Sequence, residues 1–217
     1  MRTVVMSTNG NEAYEALIPL ATRAWKHYGW DVTVMRVPAD IEDSVYLAAI
    51  IRLFGYANDG YSMLSDADII PLQAGVFNDM MDWPGPTSYG FDLTRHCRPP
   101  QVPMCYVGAS AKAWGVLMGG FEGDTPLDKS RFLLAEYRRR WPGADPWFAD
   151  QTILAERLAG APTRYIERGI TPDGWAVGRY DRGTWPNSTG GEAIDIHAPH
   201  DITRIFDVVA IMERHGL

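Results

Sequence analysis

Residues 3–72 alternate short β-favouring runs with stretches of helical periodicity, and this alternation narrows the fold more than any other feature of the chain. Thr3 to Met6 favours a strand, which Asn9-Gly10-Asn11 breaks. From Ala13 to Tyr28, Leu17, Leu20, Ala21, Ala24, Trp25 and Tyr28 recur at the spacing of one helix face, and Gly29 stands just past the end, where a left-handed residue stops a helix. Asp31 to Val37 alternates as a second strand, with Val32, Val34 and Arg36 on one face and Pro38 closing it. Ser44 to Phe54 reads as a second helix with Gly55 as its cap. Tyr61 to Leu64 reads as a third strand that ends in Ser65-Asp66-Ala67-Asp68. A β-α-β-α-β order implies parallel strands joined by right-handed crossovers. The expectation is an α/β fold with a mostly parallel central sheet. Ligands of such sheets bind beyond the carboxyl ends of the strands, where Asp66 and Asp68 fall.

The rest of the chain is less regular. Trp83-Pro84-Gly85-Pro86 is a turn cluster, Ser88 to Leu93 and Met104 to Ala109 read as strands, and Lys112 to Met118 as a short helix. Thr125-Pro126-Leu127-Asp128 has a cap residue, a proline at the first helical position and an acid at the third, which predicts a helix to Arg140. Asp145-Pro146 introduces another, from about Trp147 to Leu158. Thr163 to Glu167 and Trp175 to Arg179 read as strands, Asp181 to Glu192 as a mobile loop, and Asp201 as the cap of a last helix, Ile202 to His215. With 217 residues, 46% of them hydrophobic, and no linker or repeat, the chain fits one domain with a substantial core.

The net charge of -7 argues against a broad electrostatic grip on nucleic acid or anionic membrane. Two local groups of basic residues remain, Arg138-Arg139-Arg140 and Arg179 with Arg182, either as solvated faces or as anion contacts. Cys97 and Cys105 are too few for a disulfide framework or a cysteine-only zinc site and suit a reducing cytoplasm. The N-terminus lacks the apolar run of a signal peptide, and no stretch of about 18 apolar residues predicts a membrane span.

Residues two apart in an extended segment point to the same side, so Asp66 and Asp68 are expected to place two carboxylates in one small volume. Like charges that close need a cation or a proton between them. A hard divalent cation such as Mg2+ or Mn2+ takes oxygen ligands and can hold several diphosphate oxygens at once. A solvated acidic turn has the same three letters, but it does not require the apolar runs Tyr61-Ser62-Met63-Leu64 and Ile69-Ile70-Pro71-Leu72 on either side. With these flanks, and with the upstream helix Leu47-Ala48-Ala49-Ile50-Ile51-Arg52-Leu53-Phe54, the stretch resembles the donor-site region of GT-A-fold glycosyltransferases, in particular the retaining family-8-like and related groups.

The resemblance implies a single GT-A-like, Rossmann-type α/β/α domain over residues 1–217. Residues 1–72 would form the nucleotide-binding half ending in the Asp-x-Asp motif, and residues 73–217 the acceptor half and C-terminal closing segment. It also implies roles. Asp66 holds ribose and metal; Asp68 and His197, in Ile194-Asp195-Ile196-His197-Ala198-Pro199-His200, hold the metal, with His200 as the other candidate ligand. Ser7-Thr8-Asn9 looks like the loop that receives the nucleoside, which makes Thr8, Tyr14 (stacked on a uracil ring), Arg52 and, more distantly, Asp40 donor contacts. Met104 to Ser110 resembles the strand and small-residue turn near the transferred sugar, which brings in Ser110. Trp147-Phe148-Ala149-Asp150-Gln151-Thr152 resembles the family's Asp-Gln element: Asp150 binds sugar hydroxyls or takes the acceptor proton, and Gln151 suits hydroxyl recognition. The glycine and Lys-Pro of the fuller family-8 pattern are missing here, so Arg179 or Arg182 is left to contact the diphosphate.

Plain structural readings stand beside these roles. Tyr14 also suits a helix surface, Asp150 a helix N-terminus, and Gly108-Ala109-Ser110 a strand-to-helix turn. His27, His96 and His215 have no sequence neighbours that suggest a site.

The expected function is metal-dependent transfer of a sugar from a nucleotide-sugar, a UDP-sugar, to a hydroxyl acceptor with Mn2+ or Mg2+. The acceptor is a glycan, a small glycoside or a modified base in DNA. Eight tryptophans, with the aromatic-rich segments Trp141 to Phe148 and Trp175 to Trp185, suit stacking on sugars or bases. The alternatives are a non-catalytic nucleotide-sugar binder and a haloacid-dehalogenase-type phosphatase, whose acid pair follows the first strand rather than the third. Many eukaryotic sugar transferases carry a membrane anchor. Without a predicted span, a cytoplasmic protein from a bacterial or viral setting is expected.

Overall fold

The computed structural model describes residues 1–90, 98–102, 104–167, 178–182 and 193–217. Three parallel strands, β1 (Arg2–Thr8), β2 (Asp31–Arg36) and β3 (Tyr61–Ser65), form one half of the main sheet. The crossovers are α1 (Glu12–His27) and α2 (Ser44–Ile51). Asn11 caps α1 by accepting a hydrogen bond from Ala13 N at 3.0 Å, Glu12 and Glu15 sit in its first turn, and Lys26 and His27 in its last, so both ends complement the helix dipole. Gly29, at φ +75°, supplies the left-handed turn into β2. Helix α2 is apolar on nearly every face because it lies between the sheet and two later helices, α5 (Pro126–Arg140) and α6 (Ala149–Leu158). Its last turn tightens into a 3-10 helix, Arg52–Phe54, and Gly55 ends it.

The strand order of the six-stranded sheet is β2-β1-β3-β6-β5-β7, with β5 at Thr87–Gly90, β6 at Tyr106–Ser110 and β7 at Arg164–Glu167. Strand β6 runs antiparallel to both its neighbours, β3 and β5; the other pairings are parallel. The mostly parallel sheet read from the sequence is therefore present, with one reversed strand at its centre.

Adjacent residues of the central strands face opposite layers, as strand pleating requires. Val4 and Met63 join the core built around Trp25, Phe77 and Tyr106, whereas Val5 and Leu64 join the core built around Leu53, Trp114 and Leu133. Helices thus cover both faces, and the layers are α/β/α. Helix α5 begins on the predicted capping box of Thr125 and Asp128. Among the described residues no helix is long and apolar enough to cross a membrane.

Several elements differ from the sequence reading. Helix α3 (Gly75–Met81) has no side-chain cap and no acid or base to mark its first or last turn; burial of Phe77 and Met80 holds it. Strands β4 (Ile69–Pro71), β8 (Arg179–Asp181) and β9 (Asp195–His197) form a second sheet in the order β4-β9-β8, each three residues long and too short to show a period. Asp181, expected in a loop, ends β8. Pro146–Phe148 and Ile202–Arg204 are 3-10 turns that precede α6 and α7 (Ile205–Arg214), with α4 at Ala111–Leu117. His96, Cys97, Trp175, Trp185 and the body of the predicted 181–192 loop lie outside the described residues.

Candidate active site

A cleft of about 430 Å³ opens beyond the carboxyl ends of β1 and β3. The start of β6 reaches the same end, because β6 is antiparallel, and so Met104 and Cys105 line the cleft. The structure brings Thr8, Tyr14, Arg52, Asp66, Asp68, Asp150, Gln151 and His197 together around this one space. Ser110 is not among them. It ends β6 beside Tyr61, the first residue of β3, at the opposite edge of the sheet, and caps α4 by accepting from Ala113 N at 3.3 Å. The expectation for Ser110 is corrected accordingly. Asp40 lies exposed in the turn after β2 and does not line the cleft.

The two acids of the motif line the one cleft, but not by the route expected of a strand. The backbone turns at Ala67 and Asp68, with Ile69 N bonded to Asp66 O at 3.2 Å, so the alternation of an extended strand does not apply. The two carboxylates take different partners.

Asp66 meets Arg52, whose guanidinium also reaches Asp150 Oδ2 at 2.8 Å. One buried arginine therefore ties the end of α2 to the acid after β3 and to the first turn of α6. Burial works against the Arg52 charge, but Asp66 and Asp150 outweigh it and hold the group more basic than usual. Burial pushes the Asp150 carboxyl up, with Arg52 opposing. Asp150 Oδ1 accepts from Gln151 N at 2.8 Å, which fixes the carboxylate on both sides.

Asp68 is 4% exposed. Its Oδ2 lies 2.7 Å from His200 Nε2, 3.2 Å from Arg182 Nη1 and 3.5 Å from His197 Nε2. Burial alone would raise this carboxyl; the two imidazoles hold it well below the usual carboxylate range. The second sheet builds this group. Strand β9 pairs antiparallel with β4 so that His197 stands opposite Ile69, and Ala198 N donates to Asp68 O at 2.8 Å. The parallel register of β8 sets Asp181 beside His197, with Asp181 Oδ1 3.6 Å from His197 Nδ1. Tyr14 packs on His200, ring centroids 4.7 Å apart, and burial pushes its hydroxyl up, with Asp68 and Asp66 adding to the effect.

A carboxylate oxygen approached by two imidazole nitrogens, one of them backed by a further carboxylate, is a donor set that suits Mn2+. Among the described residues no three His, Cys, Asp or Glu side chains are gathered as a ready metal-binding group. The residue types, a carboxylate and imidazoles, are ones a divalent cation accepts, and Asp66, Asp68 and His197 all line the cleft.

The candidate diphosphate arginines separate clearly. Arg179 is 2% exposed and makes two bonds, of 2.9 and 2.8 Å, to the buried Asp195, whereas Arg182 lines the cleft. Sequence reasoning missed Asp181 and did not single out Trp147 within its aromatic segment. Only the β8–β9 register could have found the first; an exposed tryptophan just ahead of Asp150 was the signal for the second.

No protein-family model matches the sequence, and no match is found among curated proteins. Solved structures do match. A glycosyltransferase involved in glycosylation of the major capsid of PBCV-1 superposes with a TM-score of 0.56 at 10% identity, over 100% of this chain and 99% of that one. The galactosyltransferase LgtC, in complex with donor and acceptor sugar analogs, superposes with a TM-score of 0.52 at 12% identity, over 99% and 95%. In its mostly parallel six-stranded sheet, covered by helices on both faces, the chain has the fold of the GT-A-type glycosyltransferases.

Proposed function

We propose that the protein is a metal-dependent glycosyltransferase that takes a UDP-sugar as donor and a carbohydrate hydroxyl as acceptor. The observation that carries this reading is the pair of linked charge groups at one cleft: Asp68 and His197, with His200 bonded to Asp68 from outside the cleft lining, and Arg52 holding Asp66 and Asp150. Likeness in fold to a capsid glycosyltransferase and to LgtC, crystallised with donor and acceptor sugar analogs, supports the same reaction class. A cation on the Asp68 wall would offset charge on a departing nucleoside diphosphate.

The chain's own residues supply the rest. The buried Thr8 hydroxyl accepts from Gly10 N at 3.0 Å and sets the shape of the loop that receives the nucleoside. Tyr14 walls the same side. Asp150, locked between Arg52 and the Gln151 amide, presents a fixed acceptor to sugar hydroxyls, and Gln151 lines the cleft beside it.

The test is a screen of UDP-, GDP- and CDP-sugars in which hydrolysis is read as free nucleotide, with Mn2+ and with chelator. UDP-sugar turnover that needs Mn2+ is expected. Full turnover in chelator, or release of phosphate from a simple aryl phosphate instead, sinks the reading.

The carbohydrate acceptor follows from the rim. Trp147 is 43% exposed, lines the cleft and is held from behind: Asp145 Oδ1 accepts from Trp147 N at 2.9 Å, and Asp145 O accepts from the Tyr137 hydroxyl at 3.0 Å. An exposed indole anchored through its backbone, in a cleft that the exposed Val45 also lines, suits the C–H face of a sugar ring. A DNA acceptor would need a cationic track for its backbone. The Arg138–Arg140 run does not provide one: Arg138 pairs with Asp43, Arg139 with Glu136 and Arg140 with Glu156, at 2.6–2.7 Å. Trp147→Ala is expected to raise the acceptor KM about tenfold, and Trp147→Phe to raise it less, measured by acceptor titration at saturating donor.

A further inference from the structure

We propose that Arg182 is a displaceable counter-cation of Asp68, exchanged for a divalent cation that His200 then helps to hold; the proposal rests on the reading of this cleft as a metal-dependent donor site. A buried carboxylate needs a partner charge. Arg182 Nη1 provides one, 3.2 Å from Asp68 Oδ2, and is also 2.9 Å from His200 Nε2, which is itself 2.7 Å from Asp68 Oδ2. The three atoms form a closed triangle.

That triangle cannot be satisfied by hydrogen bonds alone. A guanidinium only donates, and an ionised carboxylate only accepts. If His200 Nε2 carries a proton, it suits Asp68 and meets an Arg182 donor with a donor. If it carries a lone pair, it suits Arg182 and meets the carboxylate with an acceptor. One short contact is unfavourable in either tautomer. A divalent cation in place of the guanidinium removes the conflict, because a carboxylate oxygen and an imidazole lone pair are both ligands for it.

The contrast with Arg179 supports exchange over a fixed structural role. Arg179 makes two well-formed bonds to Asp195, and both side chains are sealed from solvent. Arg182 makes its contacts from a turn just past β8 with its side chain 41% exposed, so it can swing without opening the core. Once displaced, it remains on the cleft wall, in reach of an anionic donor, where a guanidinium can bind phosphate oxygens in pairs.

The exchange has opposite signs in two measurements, which a merely structural arginine would not produce. Mn2+ binding to the full chain is titrated without nucleotide by the electron paramagnetic resonance signal of free Mn2+. Arg182→Ala and Arg182→Gln are both expected to bind Mn2+ about tenfold tighter than the parent, and His200→Ala about tenfold weaker. UDP binding to the Mn2+-saturated protein is expected to weaken about tenfold in both Arg182 variants. Thermal midpoints check that each variant is folded. Unchanged or weaker Mn2+ binding in the Arg182 variants overturns the proposal, as does a parent protein that binds no Mn2+. Mn2+-dependent UDP-sugar hydrolysis with no gain in Arg182→Ala leaves the function standing and removes the exchange; tighter Mn2+ binding with no sugar turnover does the reverse.

Discussion

Asp68→Asn is expected to lower UDP-sugar turnover by about 10²–10³-fold while the protein stays folded. The substitution keeps the shape of the side chain and removes its charge. That charge is fully present at neutral pH, because His197 and His200 hold the carboxyl well below its usual range despite burial. His197 Nε2, His200 Nε2 and Arg182 Nη1 all approach the same oxygen, Oδ2. An amide there offers no negative charge to any of them, and the wall loses its attraction for a cation. The residual turnover of the variant should therefore no longer respond to chelator. Free UDP release with and without Mn2+ checks this, alongside the thermal midpoint. Turnover that survives, or that still falls on chelation as in the parent, removes Asp68 from the donor site.

The parts of the site that could be read in the sequence are those carried by long periodic elements. The helical period of α1, the apolar α2 and the strand runs around them fix a β-α-β-α-β half, and the rule that ligands bind past strand carboxyl ends then locates Asp66 and Asp68. Strand direction is a different matter. Met104 to Ser110 has the same composition whichever way it runs; only its pairing, Ser65 with Tyr106 and Tyr61 with Ser110, shows that its beginning faces the cleft and its end does not. Ser110 therefore lies at the far edge of the sheet, where composition alone does not put it. Asp66 and Asp68 reach one cleft by a turn rather than by two-residue alternation, which belongs to extended backbone. The charge run of Arg138 to Arg140 is neutralised partly from far along the chain, by Asp43 and Glu156, which no local window contains. His197 could be picked out, but its neighbour Asp181 depends on the register of two three-residue strands.

Those two strands are clamped by a charge pair sealed from solvent on both sides, and breaking it is expected to cost several kcal/mol of stability. Arg179 and Asp195 are 2% and 0% exposed, joined by bonds of 2.9 and 2.8 Å, and the Tyr106 hydroxyl donates to Asp195 Oδ2 at 3.0 Å. Asp195→Ala leaves the guanidinium buried without its carboxylate, a loss of about 3–5 kcal/mol. For a chain of this length that corresponds to a fall of roughly 6–20 °C in Tm. Replacing both partners, Arg179→Met with Asp195→Leu, removes the charge and its desolvation together and is expected to recover most of the loss. Urea unfolding of Arg179→Met, of Asp195→Leu and of the double variant measures the coupling; losses that simply add would show that the pair is not a unit. The pair also bears on the site, because Arg179 with Asp195 and Asp181 with His197 are the two ends of one parallel ladder. A slip at the buried end moves His197 away from Asp68 at the other, so Asp195→Ala should lose Mn2+ affinity along with stability, and the refolded double variant should regain both.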